Sequence, residues 1–175
     1  MQTGVALHTL ASATEIAEGV HSGEVGLLSA VERSLARIAR SDQALGAFVK
    51  VRGDSALAEA TTLADRLPRE GLPRGGVPVA PKDNVSVAGE VMRSGSAVHD
   101  REPQSTDHPV VARLRAAGAV VVGLTAMPEM GLWLTTDEDV ITRNPWNLDR
   151  SPSGSSGGSL LFGPHAVPIP AQGTQ

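Results

Sequence analysis

Asp107-His108-Pro109-Val110-Val111-Ala112-Arg113-Leu114-Arg115-Ala116-Ala117-Gly118-Ala119-Val120-Val121-Val122-Gly123 changes its hydrophobic period halfway along. Asp107 two residues ahead of Pro109 predicts an N-cap with proline in the first helical turn. Val110, Val111, Leu114 and Ala117 supply the buried stripe, and Gly118 closes the helix. Residues 119–122 then form an apolar strand with no polar alternation, the pattern of a strand covered on both faces. Helix followed by buried strand predicts an α/β layered arrangement.

Working toward the N-terminus, Val77, Val79 and Ala80 predict a second short buried strand, which begins after the Gly75-Gly76 turn and runs into Pro81-Lys82-Asp83-Asn84. An amine is thereby placed at the end of an apolar strand. Turned inward, Lys82 loses hydration, and desolvation favours its neutral form, as a lysine base near neutral pH requires. Turned outward, it is a surface lysine at a strand end, and the strand alone leaves both open. Upstream the pattern is helical. Ser12-Ala13-Thr14-Glu15 has capping-box form ahead of Ile16, Ala17 and Val20, with an end near Gly23. Leu27, Leu28, Val31, Leu35 and Ile38 share one face of a second helix, and Glu32, Arg33, Arg37 and Arg40 form its solvated remainder. Leu45, Phe48, Val49 and Val51 read as a short extended stretch. Asp54 is expected to cap a third helix with Leu57, Ala60, Leu63, Ala64 and Leu67 inward, stopped by Pro68.

Toward the C-terminus the irregular segments Met127-Pro128-Glu129-Met130-Gly131 and Arg143-Asn144-Pro145-Trp146 lead to Ser151-Pro152-Ser153-Gly154-Ser155-Ser156-Gly157-Gly158-Ser159. Glycines let a ligand approach the main chain and clustered hydroxyls can relay a proton, but the same composition also makes a linker.

Composition narrows the function classes. The 175 residues, 41% of them hydrophobic, suffice for one domain with a core, which the 2% aromatic content requires Ala, Val and Leu to build. A net charge of -4 offers no basic footprint for nucleic acid or an acidic membrane surface. With no cysteine, disulfides and thiolate chemistry are excluded, which suits a cytoplasmic protein. No targeting signal or bilayer-spanning apolar run is evident. His8, His21, His99, His108 and His165 are scattered without His-Glu-x-x-His spacing, and no Gly-Lys-Ser/Thr phosphate loop occurs, so neither metal nor cofactor is expected.

Three pieces in order resemble the amidase-signature family: Gly76-Val77-Pro78-Val79-Ala80-Pro81-Lys82-Asp83-Asn84, Arg143-Asn144-Pro145-Trp146, and Ser153-Gly154-Ser155-Ser156-Gly157-Gly158-Ser159. The segment 107–123 and Met127-Pro128-Glu129 are also similar to it, so the likeness runs from about residue 12 onward. The resemblance implies a fragment of that α/β fold: N-terminal helices over about 12–68, then over about 76–175 part of a mixed sheet covered by helices. It implies hydrolysis of the C–N bond of a small-molecule amide through an acyl-serine, using a Ser-Ser-Lys triad. Lys82 takes the place of the base and Ser155 that of the bridging serine, which in the family follows a cis peptide bond, here Gly154-Ser155. Asp83, Met130, Gly131, Gly154 and Ser156 are expected to support the site. The family's nucleophile lies in a Gly-Gly-Ser run about two dozen residues past the bridging serine. Gly173-Thr174-Gln175 matches the segment just before it, so no nucleophile is expected within this chain, which is then inactive as it stands.

Departures from the family pattern carry expectations of their own. Pro81 lacks a sheet donor and suits an edge. Leu124 and Ala126 replace a basic residue and an asparagine, and Ser153 replaces a glycine. Leu160-Leu161-Phe162 and Pro164 stand in for small residues, so they are expected to overfill a helix surface and break the helix. Two other implications stay open: a truncated non-catalytic remnant or binding module, and a protein similar to the amidotransferase subunit that shares this fold and works on charged tRNA. A sheet cut short is further expected to self-associate through an exposed edge.

Overall fold

The computed structural model describes residues 12–136 and 140–162. Helix α1 (Ala13–Ser22) opens with the expected capping box: Ser12 Oγ accepts from the Glu15 amide at 3.2 Å, while the Ser12 amide donates to the Glu15 carboxylate at 2.6 Å. Gly23, in the left-handed conformation, ends it. Helix α2 (Leu27–Leu45) follows, then strand β1 (Phe48–Val51) and helix α3 (Gly53–Glu70). Strand β2 (Pro78–Val79) and helix α4 (Pro109–Ala116) precede strands β3 (Val120–Val121) and β4 (Gly123–Thr125), and helix α5 (Gly157–Phe162) lies last among the described residues.

The two sheet fragments are of mixed sense. β2 runs parallel to β3, with Pro78 opposite Val120 and Val79 opposite Val121, and β1 runs antiparallel to β4. The valine run is covered on both sides, as its lack of alternation requires. Val120 and Val122 pack into the larger core with Val31, Ile38, Ala56, Ala60, Leu63 and Phe48. Val121 and Leu124 face the opposite way, onto Val87 and Val111. The α/β expectation therefore holds, with α2 and α3 on one face and α4 on the other.

Several local expectations do not hold. Leu45 belongs to the last turn of α2 rather than to a strand, because Gly46 takes the left-handed conformation immediately after it and reverses the chain into β1. Leu28 is exposed, while Ala30 and Ser34 are buried instead, so the face of α2 turned to the core lies to one side of the leucine row. Ala64 is exposed and Ala56 buried on α3 for a similar reason. Arg52, not Asp54, stands at the N-cap of α3, and the helix runs through Pro68 to close on Gly71, whose amide donates to the Leu67 carbonyl at 3.1 Å. A proline in the last turn removes one intrahelical donor without ending the helix. His108 replaces Asp107 as the cap of α4: its Nδ1 accepts from the Val110 amide at 3.2 Å. Asp107 is engaged elsewhere, accepting from the Ala88 amide at 2.8 Å. Val110 is exposed, leaving Val111 as the buried anchor of that helix. Leu161 of α5 is buried in the larger core, so this leucine is accommodated rather than overfilling the surface; Pro164 lies outside the described residues.

Candidate active site

The strand that begins at β2 continues alongside β4 and delivers Lys82 opposite Thr125. Val79 pairs with Val121 and Lys82 with Thr125, so the 121–125 side carries one extra residue, a bulge between β3 and β4. The bulge explains how Pro81 is accommodated. The carbonyl of Val122, which flanks the place where Pro81 has no N–H to offer, accepts from the Arg52 amide at 2.8 Å instead. The Pro81 carbonyl still pairs, accepting from the Thr125 amide at 2.9 Å, and the Asp83 amide donates to Thr125 O at 3.1 Å. Lys82 is thus gripped on both sides along the ladder.

From there the half-buried Lys82 side chain reaches Ser155, Nζ donating to Oγ at 2.9 Å. Burial pushes the Lys82 amine below its ordinary value, because desolvation disfavours the ammonium. The peptide bond between Gly154 and Ser155 is cis. Gly154 is pressed against the backbone of residues 133–134, where a Cβ would stand 2.8 Å from the Trp133 carbonyl oxygen. Gly131 lines the other side, and a Cβ there would lie 3.6 Å from Ser155 Oγ.

Other expected supporting residues act at a distance from this pair. The Asp83 carboxylate, 1% exposed, points away into a turn, where it accepts from the Arg93 and Gly95 amides, each at 3.2 Å. Burial raises the Asp83 carboxyl, and the two amide donors oppose that rise. The carbonyl of Asp83 also accepts from the Ser94 amide at 3.0 Å, and Ser94 O accepts from the Met130 amide at 2.8 Å. Asp83 therefore joins the lysine strand to the 3-10 turn Glu129–Gly131 through the turn at 93–95. Ser96 adds a side-chain tie, its Oγ donating to Glu129 at 2.8 Å. Met130 itself is exposed, and Ser156 is half-buried with no hydrogen bond to Lys82 or Ser155.

Two residues at this site were not among the expected supports. Thr125 Oγ1 and Ser159 Oγ are 2.7 Å apart, and Thr125 Oγ1 also donates to Pro81 O at 3.4 Å. The sequence signal for them was a hydroxyl residue closing an otherwise apolar strand. Ser159 lies within α5 with its oxygen on Thr125 and not on Ser155. Among the described residues no group of His, Asp and Glu is arranged to hold a metal ion, and no helix is long and apolar enough to cross a membrane.

A mixed α/β scaffold that buries a lysine amine against a serine following a cis peptide defines an α/β protein built around a lysine–serine pair. The amidase family model matches residues 29–160, and the chain belongs to that family. Similar curated proteins include putative amidase AmiB2 of Mycobacterium tuberculosis, 49% identical over 132 residues that cover 74% of this chain and 28% of that protein. A glutamyl-tRNA(Gln) amidotransferase subunit of Methylacidiphilum infernorum is 43% identical, covering 78% of this chain and 27% of that protein. The chain thus spans just over a quarter of the length of these relatives. Among solved structures, the peptide amidase of Stenotrophomonas maltophilia superposes with a TM-score of 0.74 at 32% identity, over 85% of this chain and 32% of that one. A structure described as a vestigial complex bearing on the origins of an s-triazine catabolic enzyme gives a TM-score of 0.79 at 34% identity, over 85% and 34%.

Proposed function

We propose that this chain supplies the base and the bridging serine of an amide-hydrolysing site. The observation that carries the proposal is the 2.9 Å contact from Lys82 Nζ to Ser155 Oγ. Lys82 in its neutral form takes the proton of the Ser155 hydroxyl as Ser155 takes that of an attacking serine, so the nucleophile is activated without histidine. The attacking oxygen adds to the amide carbonyl. Collapse then breaks the C–N bond, the departing amine receives the proton held by the relay, and water hydrolyses the acyl-serine. On this reading the attacking serine is supplied from outside the described residues. Among the described residues Ser155 hydrogen-bonds to Lys82 alone, and Ser159, the nearest serine on α5, is turned to Thr125. The substrate is a small-molecule amide, and a cytoplasmic location accords with the cysteine-free sequence.

The test has two arms. Purified 1–175 chain is assayed against a peptide amide and an aryl acylamide, with no turnover expected; turnover that vanishes in Lys82→Ala would place the nucleophile inside the chain. In a gene product extended past Gln175, Lys82→Ala is expected to lower amide turnover by about 10²–10⁴-fold. Unchanged turnover there would remove Lys82 from the relay.

A second reading rests on the 43% identity to the glutamyl-tRNA(Gln) amidotransferase polypeptide. On that reading the site acts on charged tRNA and partner subunits co-purify with the extended product, whereas a stand-alone amidase purifies by itself. A non-catalytic remnant is distinguished from both by an in-frame stop directly after Gln175.

A further inference from the structure

Lys82 and Ser155 approach from elements far apart in sequence, and both are located by the same two residues at the end of β4. On one side the ladder fixes the lysine strand: Thr125 N to Pro81 O at 2.9 Å, and Asp83 N to Thr125 O at 3.1 Å. On the other side α5 docks onto Thr125 and Ala126. The Gly158 amide donates to Ala126 O at 3.1 Å, and a Cβ on Gly158 would stand 2.6 Å from Ala126 N and collide with the Ala47 carbonyl oxygen. Only a glycine permits that approach. One residue further, Ser159 Oγ meets Thr125 Oγ1 at 2.7 Å.

Thr125 has one hydroxyl proton, which can go to Ser159 Oγ at 2.7 Å or to Pro81 O at 3.4 Å; when it turns to Pro81, Ser159 donates to Thr125 in its place. The result is a hydroxyl chain from the first turn of α5 to the carbonyl immediately before Lys82.

We infer that the Thr125–Ser159 hydroxyl pair is a positioning device that holds the Ser155 turn in hydrogen-bonding reach of Lys82. The inference rests on the proposed relay and adds to it two residues that touch neither substrate nor proton. A hydroxyl pair suits this task because Thr125 is fully buried, so its hydroxyl must keep a partner or be left unsatisfied away from water. Without it, α5 is retained by the Gly158 contact and by Leu161 in the core, but the register of the 154–155 turn over Lys82 is no longer fixed.

The sequence permits a direct readout. Lys50 and Lys82 are the only lysines, and there is neither tyrosine nor cysteine. The full 1–175 chain labelled with 13C,15N-lysine yields two side-chain titrations, and Lys50→Arg assigns them. In the unaltered chain Lys82 should titrate below the ordinary lysine range. Thr125→Val and Ser159→Ala should each move the Lys82 midpoint upward by about 0.5–1 pH unit. The double variant should move it no further than the larger single change, since both break one chain. Thr125→Ser, which keeps the hydroxyl, should restore the original curve, a rescue that loss of packing would not give. Should Thr125→Val fail to fold, Ser159→Ala reads the same bond from a half-buried position. A Lys82 curve unmoved in a folded Ser159→Ala chain overturns the inference while leaving the relay intact. Lys82 titrating in the ordinary lysine range in the unaltered chain overturns the relay reading, and the positioning role with it.

Discussion

Lys82 Nζ and Ser155 Oγ lie 2.9 Å apart although 73 positions separate them in the chain. Burial favours the uncharged amine, so folding binds that proton less tightly than the unfolded chain does. At a pH below the lowered folded value the ammonium is charged in both states and the burial cost is carried in full. Between that value and the ordinary lysine value of about 10.4 the unfolded chain holds more protons, so stability rises with pH across the window. With no tyrosine or cysteine to titrate, this rise should be visible in urea unfolding midpoints as the pH is raised toward the ordinary lysine value. Lys82→Met should abolish it, and a Lys82→Met chain with the same alkaline slope would locate its cause elsewhere.

Two glycines border Ser155 in different ways, and their alanine variants should separate accordingly. Gly131 has φ +73°, but a Cβ there meets Ser155 Oγ at an ordinary 3.6 Å. Gly131→Ala should therefore cost about 1–2 kcal/mol for the left-handed backbone and leave the Lys82 titration in place. At Gly154 a Cβ would sit 2.8 Å from the Trp133 carbonyl oxygen and 3.0 Å from Leu134 Cα, both backbone atoms. Gly154→Ala should push the turn outward and return Lys82 to an ordinary titration. Denaturant unfolding combined with lysine-resolved NMR distinguishes the two, and equal behaviour of both variants would refute the distinction.

What the sequence made legible followed from repetition or from a motif. The apolar run of 119–122 revealed a sheet covered twice, because a strand buried on both faces cannot alternate. The Lys82 and Ser155 positions were legible through the family pattern around them and not from either residue alone. Contacts between single side chains left no such trace. Thr125 and Ser159 meet once, from different elements, with no period to betray them. Asp107 looked like the cap of α4 because aspartate commonly is one, but its carboxylate is held by the Ala88 amide and faces Arg115 Nε at 3.4 Å, leaving the cap to His108. Leu28 and Ala64 matched a helical stripe, yet which arc of α2 or α3 is covered depends on where the neighbouring helix lies.

Arg52 was invisible for the same reason, and it yields a sharp stability prediction. It follows a strand, where an arginine ordinarily reads as solvated, but its side chain is 5% exposed. Its guanidinium donates to Glu90 at 2.7 Å, to Glu59 at 2.8 Å and to Val121 O at 2.7 Å. Glu59 keeps a second cation in Arg115 at 3.1 Å, so Glu90 loses most when Arg52 is removed. Arg52→Met should destabilise the chain by about 3–5 kcal/mol, the cost of a buried charge left without its partner. Adding Glu90→Gln should recover part of the loss. A single-variant loss below about 1 kcal/mol in denaturant unfolding would mean the cluster is solvated in solution.

The surface beside the Ser155 turn governs the last prediction. Leu132, Trp133 and Leu134 are exposed in succession, Trp133 by 64%, and Trp146 is likewise 71% exposed. The first group is anchored next to the Lys82–Ser155 pair: the Leu134 carbonyl accepts from Ser151 Oγ at 2.9 Å, and the Trp133 carbonyl lies against Gly154. Adjacent large apolar side chains on one surface favour association, and the short paired strands leave further backbone edges among the described residues. We expect the 1–175 chain to self-associate with rising concentration. Trp133 and Trp146 are the only tryptophans, so their emission should shift to the blue and become protected from acrylamide as association proceeds, and dilution should reverse both. Leu132→Ser with Leu134→Ser should weaken association at this patch, whereas an effect confined to substitutions on β2 would assign it to the sheet edge. A monodisperse monomer in sedimentation velocity, with red-shifted quenchable emission at every concentration, would count against both routes.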